Sequence, residues 1–140
     1  MIKNIKNILC TEEIYNIYSA CMFEPTFDKF KLKTEQMQNN SSVCVYGYFL
    51  NEKIIGVIST QETDKVIEII GIAVDIKQRH SGVGTNLIDY VKDKTQKPII
   101  AETDSDAVMF YKKYGFHIEE KIVSKSNISY IRYVCTLNYK

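Results

Sequence analysis

The sequence predicts an α/β (α+β) fold, one mixed sheet with helices on both sides, and three observations predict it. Two β-rich runs in "SVCVYGYFLNEKIIGVIST" read as a hairpin joined at Asn51-Glu52-Lys53, and a third run, "KVIEIIGIAV", follows. Helical spacing of apolar residues stands on either side of these strands, at Ile14, Ile17, Tyr18 and Cys21 and again at Val83, Leu87, Ile88 and Val91. Beyond the second helical stretch the chain returns to strand, helix and two further strands.

Each element has a local reason. Thr11 is a helix N-cap, with Glu12 and Glu13 in the positive first turn. Phe27 to Met37 reads as a second helix of weaker periodicity. In "KVIEIIGIAV" the nearly unbroken apolar run suits a strand covered on both faces. The helix through Val91 ends before Pro98, and "PIIAE" is a short strand. Asp104 or Thr103 can cap another helix, whose inner face is Ala107, Phe110, Tyr111 and Tyr114 and which Gly115 stops in a left-handed C′ position. "FHIEEKIV" and "SYIRYVCTL" close the sheet. The expected order is two helices, three strands, helix, strand, helix, two strands, in one domain over residues 1–140.

Composition excludes several classes. A chain of 140 residues, 45% of them hydrophobic, can bury a core and is not disordered. No apolar stretch reaches the roughly 18 residues of a membrane helix, and "MIKNIKNILCTEE" lacks the apolar core of a signal peptide. The 18 basic and 17 acidic side chains give a net charge of +1, no basis for nucleic-acid binding. Cys10, Cys21, Cys44 and Cys135 form no CxxC pair, and His80 and His117 lie far from them in sequence, so neither a disulfide framework nor a metal site is expected. Reduced cysteines and the absence of a membrane segment lead us to expect a cytoplasmic protein.

The segment "KQRHSGVGTN" sits between a strand and a helix. Free N–H groups of a first helical turn and the positive end of the helix dipole converge there, and glycine lets an anion reach the backbone. A Walker loop would need Gly-Lys-Ser/Thr, whereas Gly84 is followed by Thr85 and Asn86. A dinucleotide fingerprint would need glycine where Leu87 stands. What remains is Arg79-His80-Ser81-Gly82-Val83-Gly84, an R/Q-x-x-G-x-G/A pattern. "GIAVDIKQRHSGVGTNLIDYV" with "AETDSDAVMFYKKYGF" resembles the GNAT superfamily of acyl-CoA N-acyltransferases, through its strand-loop-helix and its Tyr-x-x-x-Gly-Phe helix end. The likeness covers residues 43 to 137. Two departures are Ile76, where members often have proline, and Asp104, where many have asparagine.

The resemblance implies a GNAT-like, mostly antiparallel sheet with splayed central strands, and acetyl-CoA as co-substrate without a metal. It implies backbone pairing of Ile72, Ala73 and Val74 with the pantetheine and a pyrophosphate cradle from Arg79, His80, Ser81, Gly82, Val83, Gly84 and Thr85. Asp104, Ala107, Phe110 and Tyr111 would complete the cofactor site. Tyr111, four residues before Gly115, matches the family's tyrosine that protonates or hydrogen-bonds the departing thiolate, while Tyr114 is expected to pack. The base is left open among Glu68 in the central strand, Glu102 at the end of the next strand, and water. Acetyl transfer would be direct, without a covalent acyl-enzyme, to a primary amine of a small molecule or of a protein or peptide. Glu24, Asp28, Glu68 and Glu102 are acidic groups that could receive it. A non-catalytic acyl-CoA-binding module is the alternative. No nucleic-acid or membrane partner is expected, and the chain would be a monomer or a homodimer paired through "YIRYVCTLNY".

Overall fold

The computed structural model describes residues 1–138, which leaves Tyr139 of the closing aromatic segment outside the described residues. Seven strands form one sheet: β1 (Ile2–Asn4), β2 (Val43–Leu50), β3 (Lys53–Glu62), β4 (Ile67–Val74), β5 (Ile99–Thr103), β6 (His117–Lys125) and β7 (Ile128–Leu137). Four α-helices accompany them: α1 (Glu12–Tyr18), α2 (Phe27–Gln38), α3 (Val83–Asp93) and α4 (Val108–Tyr114). The spatial order is β1-β2-β3-β4-β5-β7-β6, and every pairing is antiparallel except β4 with β5. The expected mixed, mostly antiparallel sheet is therefore present, with one strand more than the sequence suggested. "IKN" is too short to show a period, and β1 is fixed by contact with β2, where Phe49 N–H donates to Met1 O at 2.7 Å.

The helix ends follow local chemistry. Thr11 and Thr26 cap α1 and α2, their hydroxyls accepting from the N–H groups of Ile14 (3.2 Å) and Lys29 (3.1 Å). Gly115 ends α4 at φ 121°, and the N–H of Phe116 closes back on Tyr111 O at 3.0 Å, a Schellman-type stop. Helix α4 starts later than an Asp104 cap would put it. The Asp104 carboxylate instead accepts from the N–H groups of Asp106 (3.0 Å) and Ala107 (3.2 Å), holding the turn that leads into the helix.

Two cores lie on opposite faces of the sheet. Helices α3 and α4 bury Val83, Leu87, Ile88, Val91 and Tyr111 against Ile58, Ile69 and Ile99. On the other side Ile14, Ile17, Tyr18 and Phe30 of α1 and α2 cover Val45, Val57 and Ala73. Buried strands β3 and β4 lose water on both faces, which explains their nearly continuous apolar sequence.

The fold positions its site through one irregularity and one divergence. Opposite Ser59 and Thr60 the β3–β4 register jumps from Gly71 to Ile69, leaving Ile70 as the extra residue of a β-bulge that bends β4. Tyr18 lies under the bend, sharing a 2.6 Å hydrogen bond with the buried Ser59 hydroxyl. A Cβ on Gly71 would stand 2.2 Å from the Tyr18 oxygen, so only glycine fits there. Strand β5 pairs with β4 at just two positions, Ile67 with Ile99 and Glu68 with Ile100. Past these the two strands separate into a wedge that opens toward the C-terminal end of β4.

Candidate active site

The wedge leaves one edge of β4 free. Asp75 N–H donates to Ile55 O across β3 at 2.8 Å. Because an antiparallel ladder alternates its hydrogen-bonding direction, the N–H and C=O groups of Ile72 and Val74 face the other way, into the gap. Arg79 Nε already uses one of them, donating to Val74 O at 3.3 Å.

Beside that edge stands the glycine loop. His80 and Gly82 both hold positive φ, 68° and 87°, and this turn aims the first N–H groups of α3 outward. A Cβ on Gly82 would meet no atom within 4 Å, so the space before the helix N-terminus is open. Gly56 lets the buried Val83 side chain close onto β3, since a Cβ there would lie 2.7 Å from Val83 Cγ1. The loop is thus anchored from below while its backbone stays exposed above. Phe110 packs its ring edge over Gly84, where a Cβ would come within 3.0 Å.

A cavity of about 460 Å³ joins these parts, lined by Ile72, Ala73, Val74, Arg79, His80, Gly82, Val83, Gly84, Thr85, Ala107, Phe110 and Tyr111. The structure thus brings together most of the residues the sequence singled out for a cofactor. Two lie apart from this cavity. Ser81 turns its hydroxyl back to donate to Gln78 O, and Asp104 faces a second, adjoining cavity. Ala20 and Gln78 also line the first cavity and were missed. Gln78 adjoins the loop pattern and could have been noticed, whereas a lone alanine after α1 carries no signal.

The second cavity, about 560 Å³, lies further along the gap. One wall is the Ala20-to-Phe23 turn after α1 together with Ile69 to Ile72 of β4. The facing wall is Glu102, Thr103, Asp104, Asp106 and Arg132. Tyr111 lines both cavities. Its ring is 4% exposed and meets Phe110 and Phe116 edge-on at 5.3 and 5.2 Å. Among the described residues its hydroxyl makes no hydrogen bond, yet no buried side-chain polar atom is left unsatisfied, so that oxygen opens onto the cavity. Burial pushes the Tyr111 phenol well above the ordinary tyrosine value and keeps it protonated.

The two glutamates separate. Glu68 sits half-buried at the closed end of the wedge, paired with Gln61 and Ile100, and lines neither cavity. Glu102 lines the larger one but is occupied. Lys121 Nζ donates to its Oε1 at 3.0 Å, Arg132 Nε lies 3.6 Å from Oε2, and the Lys121 hydrogen bond chiefly holds its carboxyl below the ordinary range. Glu24 and Asp28 line neither cavity.

Arg132 was missed, although one arginine within the apolar run "SYIRYVCTL" is a visible oddity. Cys21 also faces the larger cavity. Its thiol turns inward to donate to Tyr18 O at 3.2 Å, and desolvation pushes it up to about 11, so at neutral pH it is a weak nucleophile. Tyr114 does more than pack: its hydroxyl donates to Asp89 Oδ1 at 2.5 Å and ties α4 to α3. Among the described residues no group of three His, Cys, Asp or Glu side chains could hold a metal, and no helix is long and apolar enough to cross a membrane.

Known structures share this architecture. An aminoglycoside 6'-N-acetyltransferase complexed with coenzyme A superposes with a TM-score of 0.77 at 16% identity, over 97% of this chain and 96% of that one. The ribosomal-protein-S18-alanine N-acetyltransferase from Escherichia coli gives 0.75 at 17% identity, over 98% and 92%. A GNAT family acetyltransferase from Elizabethkingia anophelis with acetyl-CoA bound gives 0.71 at 22% identity, over 99% and 97%. At such identities the likeness establishes the fold. No curated relative matches the sequence. The acetyltransferase (GNAT) domain family matches residues 12–137, from the first turn of α1 to the end of β7. A match of that extent takes in the bulged strand, the glycine loop and the tyrosine helix together, and the chain belongs to the GNAT family of acetyltransferases.

Proposed function

We propose that the protein transfers the acetyl group of acetyl-CoA directly to a primary amine. The observation that carries this reading is the wedge between β4 and β5, which opens beside the glycine-led N-terminus of α3 and holds the unpartnered Tyr111 hydroxyl. The residues fit such a co-substrate. The open space before Gly82, the dipole of an 11-residue helix and the side chains of Arg79 and His80 suit a pyrophosphate. The free edge of β4 at Ile72 and Val74 suits an extended arm with amide groups, added as a strand would be. The coenzyme A and acetyl-CoA complexes of similarly folded proteins support the same assignment.

When bound, acetyl-CoA supplies an activated acyl carbon. The amine nitrogen, after losing a proton to solvent, forms the N–C bond as the C–S bond breaks. A second proton leaves the nitrogen, and the thiolate is converted to the thiol. Tyr111 receives the thiolate. Its raised pKa keeps it a hydrogen-bond donor to the developing negative charge, and the proton that turns the thiolate into the thiol comes from solvent. Proton removal from the amine falls to water in the larger cavity, because Glu102 is held low by Lys121 and Glu68 stands at the closed end of the wedge. Cys21, kept as the thiol, leaves no role for an acyl-enzyme.

The test is calorimetry with acetyl-CoA beside a thiol-release assay over a panel of primary amines. Saturable binding with amine-dependent thiol release supports transfer. Binding without release from any amine would make the chain an acyl-CoA-binding module, and absence of binding would remove the cofactor assignment.

A further inference from the structure

We propose that the acceptor is a small amphipathic monoamine, one ammonium group on an apolar body. This rests on the transferase reading above and concerns the larger cavity. Its two walls differ in kind. On one side Met22, Phe23, Ile70 and Ile72 present apolar surface, and Phe23 is 85% exposed although it borders a concave site. Such a ring, uncovered at the mouth of a cavity, is apolar surface that an apolar ligand would remove from water. On the other side stand Glu102, Asp104 and Asp106.

Those carboxylates are not equal. Glu102 is compensated by Lys121 and Arg132 at 3.0 and 3.6 Å. Asp104 accepts two backbone N–H bonds, and neither it nor Asp106 forms an ion pair among the described residues. Arg79 also lines this cavity and is assigned above to the pyrophosphate; with it so engaged, Glu102, Asp104 and Asp106 against Arg132 and the Lys121 that pairs with Glu102 leave one net negative charge beside the gap. One ammonium balances it, while a second would approach the Arg132 guanidinium in the same cavity. Independently of the acids, the Tyr111 hydroxyl, on a side chain that is 4% exposed, has no hydrogen-bond partner among the described residues and opens onto this cavity, which fixes where the reacting nitrogen must reach. A volume of about 560 Å³ accommodates a ring-bearing amine.

The experiment compares kcat/KM for 2-phenylethylamine, spermidine and kanamycin at saturating acetyl-CoA, with acetyl-CoA binding measured separately by calorimetry. Expected is a preference of at least about tenfold for 2-phenylethylamine. Phe23→Ala should raise its KM about tenfold with kcat little changed, and Asp106→Asn should raise KM without altering acetyl-CoA affinity. Equal or better use of either polycation overturns the proposal, as does an unchanged KM in folded Phe23→Ala. Intact acetyl-CoA binding with no turnover of 2-phenylethylamine overturns it while leaving the cofactor assignment standing. Loss of acetyl-CoA binding in the wild-type chain removes both.

Discussion

The two halves of the cleft are built by opposite means. The half beside the glycine loop comes mainly from one continuous stretch, Ile72 to Thr85, closed off by Ala20, Ala107, Phe110 and Tyr111, and that stretch offers mostly backbone: a free strand edge, a left-handed turn and the start of α3. The half around the larger cavity comes mainly from side chains of five separated places, the turn after α1, the bulge of β4, the end of β5, the start of α4 and Arg132 of β7. Backbone geometry can be held for a constant ligand while side chains vary for a variable one. On the proposed reading the first half takes the acetyl-CoA and the second the amine.

Tyr111 stands where the halves meet, so its phenol is the sharpest place to break the comparison. Tyr111→Phe keeps the ring against Phe110 and Phe116 and removes one oxygen that bonds to no protein group among the described residues. Turnover should fall about a hundredfold with coenzyme A affinity nearly unchanged. Thermal stability should hold, since no internal hydrogen bond is lost. A fully active variant would reduce Tyr111 to core packing. The raised pKa adds a pH test. A phenol held above its ordinary value stays protonated below pH 10, so kcat should show no alkaline fall from Tyr111 up to about pH 10. The linked stability is fully present there and is lost only as pH climbs beyond it.

Gly82→Val tests the backbone half alone. Its side chain would enter the open space before α3, and acetyl-CoA affinity should drop at least about tenfold, roughly 1.4 kcal/mol. The φ of 87° adds strain, and Gly115→Ala, strained likewise at φ 121° but outside both cavities, is the control. Calorimetry should separate them: Gly115→Ala loses stability without losing affinity.

The same contrast explains what the sequence disclosed. The glycine loop was legible because the demand for bare backbone leaves glycines at fixed spacing, and the helix ends at Thr11 and Gly115 because single residues make them. The β2–β3 hairpin and the buried central strands were legible from β-rich, continuous apolar runs. Strand β1 was not, because three residues have no periodicity and their partner lies forty-odd positions away. The wall of the larger cavity was hidden for a related reason. Phe23, Asp106 and Arg132 become neighbours only through the fold, and none stands in a local pattern. Glu68 shows the converse. A carboxylate in an apolar strand drew notice as a base, yet its register with Gln61 and Ile100 puts it at the closed end of the wedge.

That placement gives a smaller expected effect. Glu68→Gln and Glu102→Gln should each lower kcat less than tenfold, where loss of a dedicated base costs a hundredfold or more. Both variants should retain the acidic limb of the pH profile, which on this reading belongs to the amine and to water. Glu102→Gln should also lose acid-sensitive stability. Its carboxyl is held low in the folded chain, so its contribution is present above the ordinary carboxylate value and fades as pH falls. An acidic limb abolished by Glu68→Gln would return the base role to the central strand.

The smallest effect belongs to Tyr114. It lies one turn beyond Tyr111 on the same helix, and its hydroxyl donates to Asp89 on α3 at 2.5 Å. Helices α3 and α4 are the two pillars against which the glycine loop and Tyr111 are set, so this bond could tune the site or merely fasten it. Neither of the two cavities that form the site is lined by Tyr114, and its hydroxyl points away from them to Asp89. Tyr114→Phe removes the bond and keeps the ring that meets Phe116 at 5.5 Å. The expected loss is about 1 kcal/mol of stability, read from denaturant midpoints, with kcat and coenzyme A affinity unchanged. A drop in turnover without a drop in stability would show that the helix pair is set by this bond, and that the backbone half of the cleft depends on side-chain chemistry after all.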